Sequence, residues 1–277
     1  MADTHEAAHS AGSRLGVLGK LGVPVFGLGA IMLGIVGLVS GDFADVWQPV
    51  PSTTPGRKAL AYLVAICLLT AGAAIQWRRF ARVGLIVLGI LYFTFAVLWL
   101  PRVVSYPRIF GTWGGVFEQL SLVAAALVVY GSLENRQRAT VSITEQIGRV
   151  VYGICVIAFA LNHFFAIPET ARMVPKWIPP GQHFWAVATG VAHLLAAIAI
   201  LSGVLAVLAS RLLTLMLILF GALVWMPSLF AHPRDHMVWS GNAINLAMAG
   251  AAWVVADWIA SRQSKLHDQP DSRALAA

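Results

Sequence analysis

Apolar residues run along this chain in eight stretches of about 18 to 25, each broken by a short polar or proline-rich segment. The stretches are 21–40, 59–77, 83–101, 114–132, 147–167, 184–208, 210–227 and 241–260. Runs of this length cross a bilayer core. Inside that core no water meets the backbone, so each run is expected to close its hydrogen bonds as a helix. An even number of spans returns both ends of the chain to one side. Residues 1–20 are polar, with no small-residue cleavage site before the first span, so no removable signal peptide is expected. Residues 133–146 read as a linker, and 261–277 hold too few apolar residues to pack and are expected to be disordered.

Composition agrees with the pattern. Hydrophobic residues make up 58% of the 277 and charged ones only 11%, against about 25% charged in a typical soluble domain. The net charge of +7 does not mark a nucleic-acid surface, because the basic residues are distributed over the connectors. Of the 19 Lys and Arg, twelve fall on the side of the termini and seven on the other. By the positive-inside rule the termini face the cytoplasm, and the WRRFAR segment at 77–82 is the sharpest marker. A multi-pass protein of a bacterial inner membrane is the expected setting, with the lipid bilayer as its first partner. The two cysteines, Cys67 and Cys155, both lie within spans and outside any CxxC, which suits small core residues better than a redox dithiol.

The chain also repeats itself. WLPRVVSYPRIFGTWGG at 99–115 aligns with WMPSLFAHPRDHMVWSG at 225–241 at an offset of 126, matching Trp99, Pro107, Arg108, Trp113 and Gly115 with Trp225, Pro233, Arg234, Trp239 and Gly241. VPSTTPGRKALAY at 50–62 lines up with VPKWIPPGQHFWA at 174–186. The expected architecture is therefore all-α, with eight transmembrane helices as two four-helix bundles, residues 21–132 and 147–260. With four spans each, the two units enter the membrane in the same sense, as a parallel repeat.

The stretch VPKWIPPGQHFWAVATGVAHLLAAIAILSG at 174–203 resembles the DoxX-like family, with its outside Val-Pro loop followed by a helix reading Thr-Gly-x-x-(polar)-Leu. The whole chain looks like a tandem duplication of that four-helix unit. Many members carry glutamate at the polar position, where this chain has His193. The resemblance implies small subunits of membrane oxidoreductases, including DoxD-type thiosulfate-to-quinone electron transfer. Fold-level likeness does not by itself assign chemistry.

Ionisable residues inside spans are costly and tend to face a bundle interior, which makes Glu118, His163 and His193 the catalytic candidates. His193 lies about nine residues into its span, near mid-bilayer at 1.5 Å per residue. His163 is expected several residues away from it in depth, an arrangement that weighs against haem held by both imidazoles. Arg108 and Arg234, each after a proline in a repeated connector, are candidates for an oxyanion or a quinone headgroup, or for pinning their loops. His232 and His236, four apart, are the remaining binding candidates, and no metal site is expected. Seven tryptophans near the same interface fit an aromatic belt. Two functions follow. One is an accessory or quinone-interacting subunit of a membrane redox system, working with a redox partner subunit. The alternative is a non-enzymatic scaffold or small-solute permease.

Overall fold

A computed structural model describes residues 21–134 and 141–267. The tail 1–20, residues 135–140 of the linker and residues 268–277 of the C-terminal tail lie outside the described residues. Every regular element among the described residues is a helix. They are α1 (Gly22–Ser40), α2 (Arg57–Ala74), α3 (Ala81–Ser105), α4 (Phe110–Glu134), α5 (Ile143–Phe165), the short α6 (Ile167–Met173), α7 (Gln182–Ser202), α8 (Ala206–Phe220), α9 (Met226–Ala231) and α10 (His236–His267). A π turn, Gly221–Trp225, joins α8 to α9 without a break, so eight helices are long and apolar enough to cross a membrane. All eight fall on the apolar stretches of the sequence. The end holding the chain termini is called here the terminal end, and the opposite one the distal end.

Boundaries differ where local chemistry overrides the apolar count. The run 184–208 is not one helix: the chain turns at 203–205, where Gly203 and Leu205 adopt left-handed backbone with φ of 88° and 53°. The last helix extends beyond its apolar run to His267, so residues 261–267 are ordered, contrary to the expected tail. The reason is an ion pair. Arg262 donates to Glu145, whose side chain is fully buried at the start of α5. Glu145 also accepts from Trp258 Nε1 at 3.0 Å, Ser132 Oγ at 3.0 Å and the Ser142 amide at 2.8 Å. Ser142 in turn caps the Glu145 amide, closing a capping box. Asp257 likewise does not reach for solvent. It pairs with Arg211 at 2.6 Å and accepts the Gly22 amide at 3.1 Å, tying α10 to the first turn of α1.

The helices pack in sequential order around a ring, α1–α2–α3–α4–α5–α7–α8–α10 and back to α1, while α4 and α10 meet across the centre. The two sets of four are therefore interlocked rather than self-contained. The closest faces are α1 on α10 and α4 on α5, each joining one half to the other. At the first of these, backbone meets backbone: a Cβ on Gly29 would sit 2.5 Å from Ala247 Cα, and one on Gly250 2.4 Å from Phe26 Cα. Small residues at such a crossing gain dispersion contacts that lipid does not offer.

The repeated connectors fold alike. Trp113 Nε1 donates to Pro107 O at 3.1 Å, and Trp239 Nε1 to Pro233 O at 2.8 Å. The Trp99 ring lies on Gly115 and the Trp225 ring on Gly241, where a Cβ would come within 2.1 and 2.0 Å of the indoles. Each equivalent tryptophan, proline and glycine thus has a packing or hydrogen-bonding duty at the distal end.

Candidate functional site

Between α5, α7, α8 and α10 lies a cavity of about 510 Å³. Its polar wall contains Glu118, Asn162, His163, His193 and Asn245, and its aromatic wall Trp47, Phe159, Trp185, Phe220 and Trp225. The three ionisable span residues singled out in the sequence thus line one space. No Lys or Arg among the described residues lines it.

His163 and His193 sit side by side, with ring centres 4.8 Å apart. The expected difference in depth is absent. Gly190 accounts for this: a Cβ there would lie 2.9 Å from His163 Cβ, so α7 approaches α5 closely one turn before His193. His163 Nδ1 bonds Phe159 O and His193 Nδ1 bonds Thr189 O, both at 2.8 Å. A carbonyl only accepts, so each Nδ1 carries the proton, and Nε2 is left as the nitrogen with a free lone pair. Phe220 lies against both rings, at 6.4 and 6.3 Å between centres. Two imidazoles on opposite sides of one iron, at about 2 Å per bond, would hold their ring centres roughly 6 Å apart. The observed pair is too close for haem between them.

Glu118 enters from α4 and receives a hydrogen bond from the Trp47 side chain. Trp47 comes from the connector between α1 and α2, which folds inward instead of lying on the interface. Its carbonyl accepts Gln119 Nε2 at 3.0 Å, and its ring meets Trp225 edge-on at 5.8 Å. Arg57 anchors this strap. It pairs with Asp42 at 2.9 Å and Asp45 at 2.6 Å, donates to Val50 O, and lies over the Phe43 ring. Burial disfavours the charge on Asp42, but the Phe43 amide and the Arg57 guanidinium outweigh it and hold the carboxyl below its ordinary pKa. Sequence reasoning assigned Trp47 to the aromatic belt and passed over Arg57, Asp42 and Asp45. Two aspartates and an arginine flanking one tryptophan were the available signal.

The π turn shapes the cavity's other side. Its wide turn falls two residues before Pro227, where the helix lacks an amide donor. Two asparagines on α10 serve the loosened carbonyls: Asn245 Nδ2 donates to Leu217 O at 3.2 Å, and Asn242 Nδ2 to Trp225 O at 2.9 Å. Such single-turn bulges recur at functional sites.

The connector candidates lie elsewhere. Arg108, Arg234 and His232 are exposed, His236 is half-buried, and none of the four lines the cavity. For neither arginine does a hydrogen bond or ion pair occur among the described residues. Cys155 is buried and Cys67 partly so, both as free thiols.

Residues 145–227 match the DoxX family model. That stretch is similar to DoxX. The matched stretch begins at the buried Glu145, contains both cavity histidines and the π turn, and ends at Pro227. No curated protein and no solved structure matches the chain. The matched stretch holds His163 and His193, while Glu118 and Trp47 lie outside it.

Proposed function

We propose that this DoxX-like protein binds an uncharged, lipid-soluble ring such as a quinone in the cavity, as an accessory or quinone-interacting subunit of a membrane redox system. The observation that carries the reading is the paired imidazoles. Both Nδ1 atoms are committed to helix carbonyls, which leaves two Nε2 atoms and the Glu118 carboxyl on one wall, with flat aromatic surfaces around them. A ring with carbonyl oxygens needs flat apolar contact and hydrogen-bonding or proton-donating groups. Two-electron reduction of a quinone to a quinol also takes up two protons. In this proposal the electrons come from a redox partner subunit and the two protons from water outside the membrane, passed on by the Glu118 carboxyl and by an Nε2 atom that first takes a proton up on its free lone pair. The Lys and Arg asymmetry supports placing both termini in the cytoplasm of a bacterial cell.

The test is the quinone content of an organic extract from detergent-purified protein. Near-stoichiometric quinone in the wild type, falling at least tenfold in His193→Leu and Glu118→Gln, is the expected result. Retention of quinone in His163→Leu, His193→Leu and Glu118→Gln alike would remove the reading.

A further inference from the structure

The cavity is open sideways, toward lipid. Leu212, Leu215 and Leu219 line it, yet their surfaces are 55%, 50% and 44% exposed. On a membrane-spanning helix those surfaces face acyl chains. The helix that carries them is the least enclosed of the eight, and no residue from 218 to 231 is buried. The opening therefore lies along α8, beside α7.

Polarity is graded along this opening. The imidazoles and Phe220 share one level. From Phe220 toward the terminal end the wall becomes Met216, Leu215 and Leu212 on α8, with Met248 on α10. Eight residues of helix separate Phe220 from Leu212, about 12 Å of apolar groove. The geometry points to a tailed ligand: an amphiphile with an uncharged ring at His163 and His193 whose alkyl or isoprenoid chain runs along α8 past Leu215 to Leu212, having entered from the bilayer between α7 and α8. This rests on the ring-binding reading and extends it to the substrate's tail and route.

Charge selects the class of head. His193 lies eleven residues from the distal end of α7, about 16 Å along the helix axis, near the middle of a hydrocarbon core about 30 Å thick. A phosphate brought there would be costly. No Lys or Arg lines the cavity among the described residues. A phospholipid head therefore does not fit, whereas a neutral ring does.

The experiment uses the full chain in nanodiscs, with tryptophan quenching by two probes: decylubiquinone, and the same dimethoxy-methyl-benzoquinone ring without a tail. Trp47, Trp185 and Trp225 line the cavity and report occupancy. Affinities are compared after correction for how each probe partitions into lipid. The wild type is expected to bind the tailed probe at least tenfold more tightly. Leu215→Trp, which fills the groove below the ring level, should erase most of that ratio while the tail-less probe changes less than twofold. Leu212→Phe serves as the second variant if Leu215→Trp loses its cooperative melt. Equal affinity for both probes in the wild type, or a ratio untouched by the groove variants, overturns the tail groove and leaves the ring site standing. Absence of saturable quenching by either probe overturns the ring site and the groove together.

Discussion

Replacing Arg262 with alanine should be among the most destabilising single changes in this protein. Its partner, Glu145, has a side chain with no solvent exposure, and that of Arg262 is itself only 9% exposed. Breaking a buried pair by removing one member leaves an uncompensated charge, at about 3–5 kcal/mol. Three donors remain on Glu145 after the change: Trp258 Nε1, Ser132 Oγ and the Ser142 amide. They hold part of the carboxylate's solvation, which puts the loss near the lower bound, about 3 kcal/mol. For a chain of this size, each kcal/mol moves a melting midpoint by about 2–4 °C, so a fall of roughly 6–12 °C is expected in detergent. The double variant Glu145→Leu with Arg262→Leu removes both charges and replaces them with apolar volume. It should recover at least half of the loss, because the large term is the stranded charge and not the missing attraction. A melting curve for wild type, both single variants and the double completes the cycle. If Arg262→Ala melts within 2 °C of wild type, or the double variant melts below both singles, Glu145 is not a buried charge that depends on Arg262, and the account of the ordered 261–267 segment fails.

Three further outcomes are expected. Gly190→Val should push α7 off α5 beside His163 and reduce occupancy of the ring site at least tenfold, read by the same quenching titration, because the added Cβ alone would stand 2.9 Å from His163 Cβ. Gly241→Ala should destabilise the fold by about 1–3 kcal/mol, since the new methyl would overlap the Trp225 ring at 2.0 Å; a melt equal to wild type contradicts that packing. For the strap, Asp42 has a pKa held below its ordinary value in the folded state. Its contribution is therefore fully present above the unfolded value and is lost as pH falls through the folded one. Protection of the 41–56 amides from hydrogen exchange should accordingly show no Asp42-dependent loss between pH 5 and 8. It should weaken below about pH 4 and fall in Arg57→Ala at every pH.

The fold was legible because a membrane leaves the chain few options. Eight apolar stretches of sufficient length had to become eight helices, and they did. The ends were less legible, since apolar length says nothing about polar partners. Glu145 and Arg262 are 117 positions apart, and only the reach of the Trp258 and Arg262 side chains to the start of α5 ties residues 261–267 to the rest of the fold. The depth of His163 relative to His193 failed for a similar reason. Counting residues from each span's end assumes parallel, equally placed helices, while the Gly190 approach fixes the true level. Glu118, His163 and His193 could be found one at a time because charge within a span is conspicuous. Trp47 could not, since an indole near the interface has a sufficient explanation in the aromatic belt.

The offset of 126 also lets the two halves be compared position by position at the level of the cavity. We propose that the two halves arose by duplication, a reading supported by the matched Trp99–Gly115 and Trp225–Gly241 clamps. At this offset His163 corresponds to Gly37, Asn162 to Val36, His193 to Cys67, and Glu118 to Ile244. In the first half, α1 and α2 close on each other at that level: a Cβ on Gly34 would meet the Ala65 carbonyl at 2.6 Å, and one on Gly37 would meet Ala65 Cβ at 3.0 Å. Leu68, beside Cys67, is wholly buried there. In the second half the same level holds two imidazoles, and α8 beyond them is unburied. A symmetric pair of polar cavities would place twice the ionisable surface in the membrane. Restricting it to one half leaves α1, packed backbone to backbone on α10, as the rigid support for the wall that carries Asn245. Glu118 then completes the site from the opposite half through the contact of α4 with α5. Exchanging the first-half residues for their counterparts, Gly37→His with Cys67→His, should therefore destabilise the protein instead of creating a second site, because no space between α1 and α2 awaits the rings.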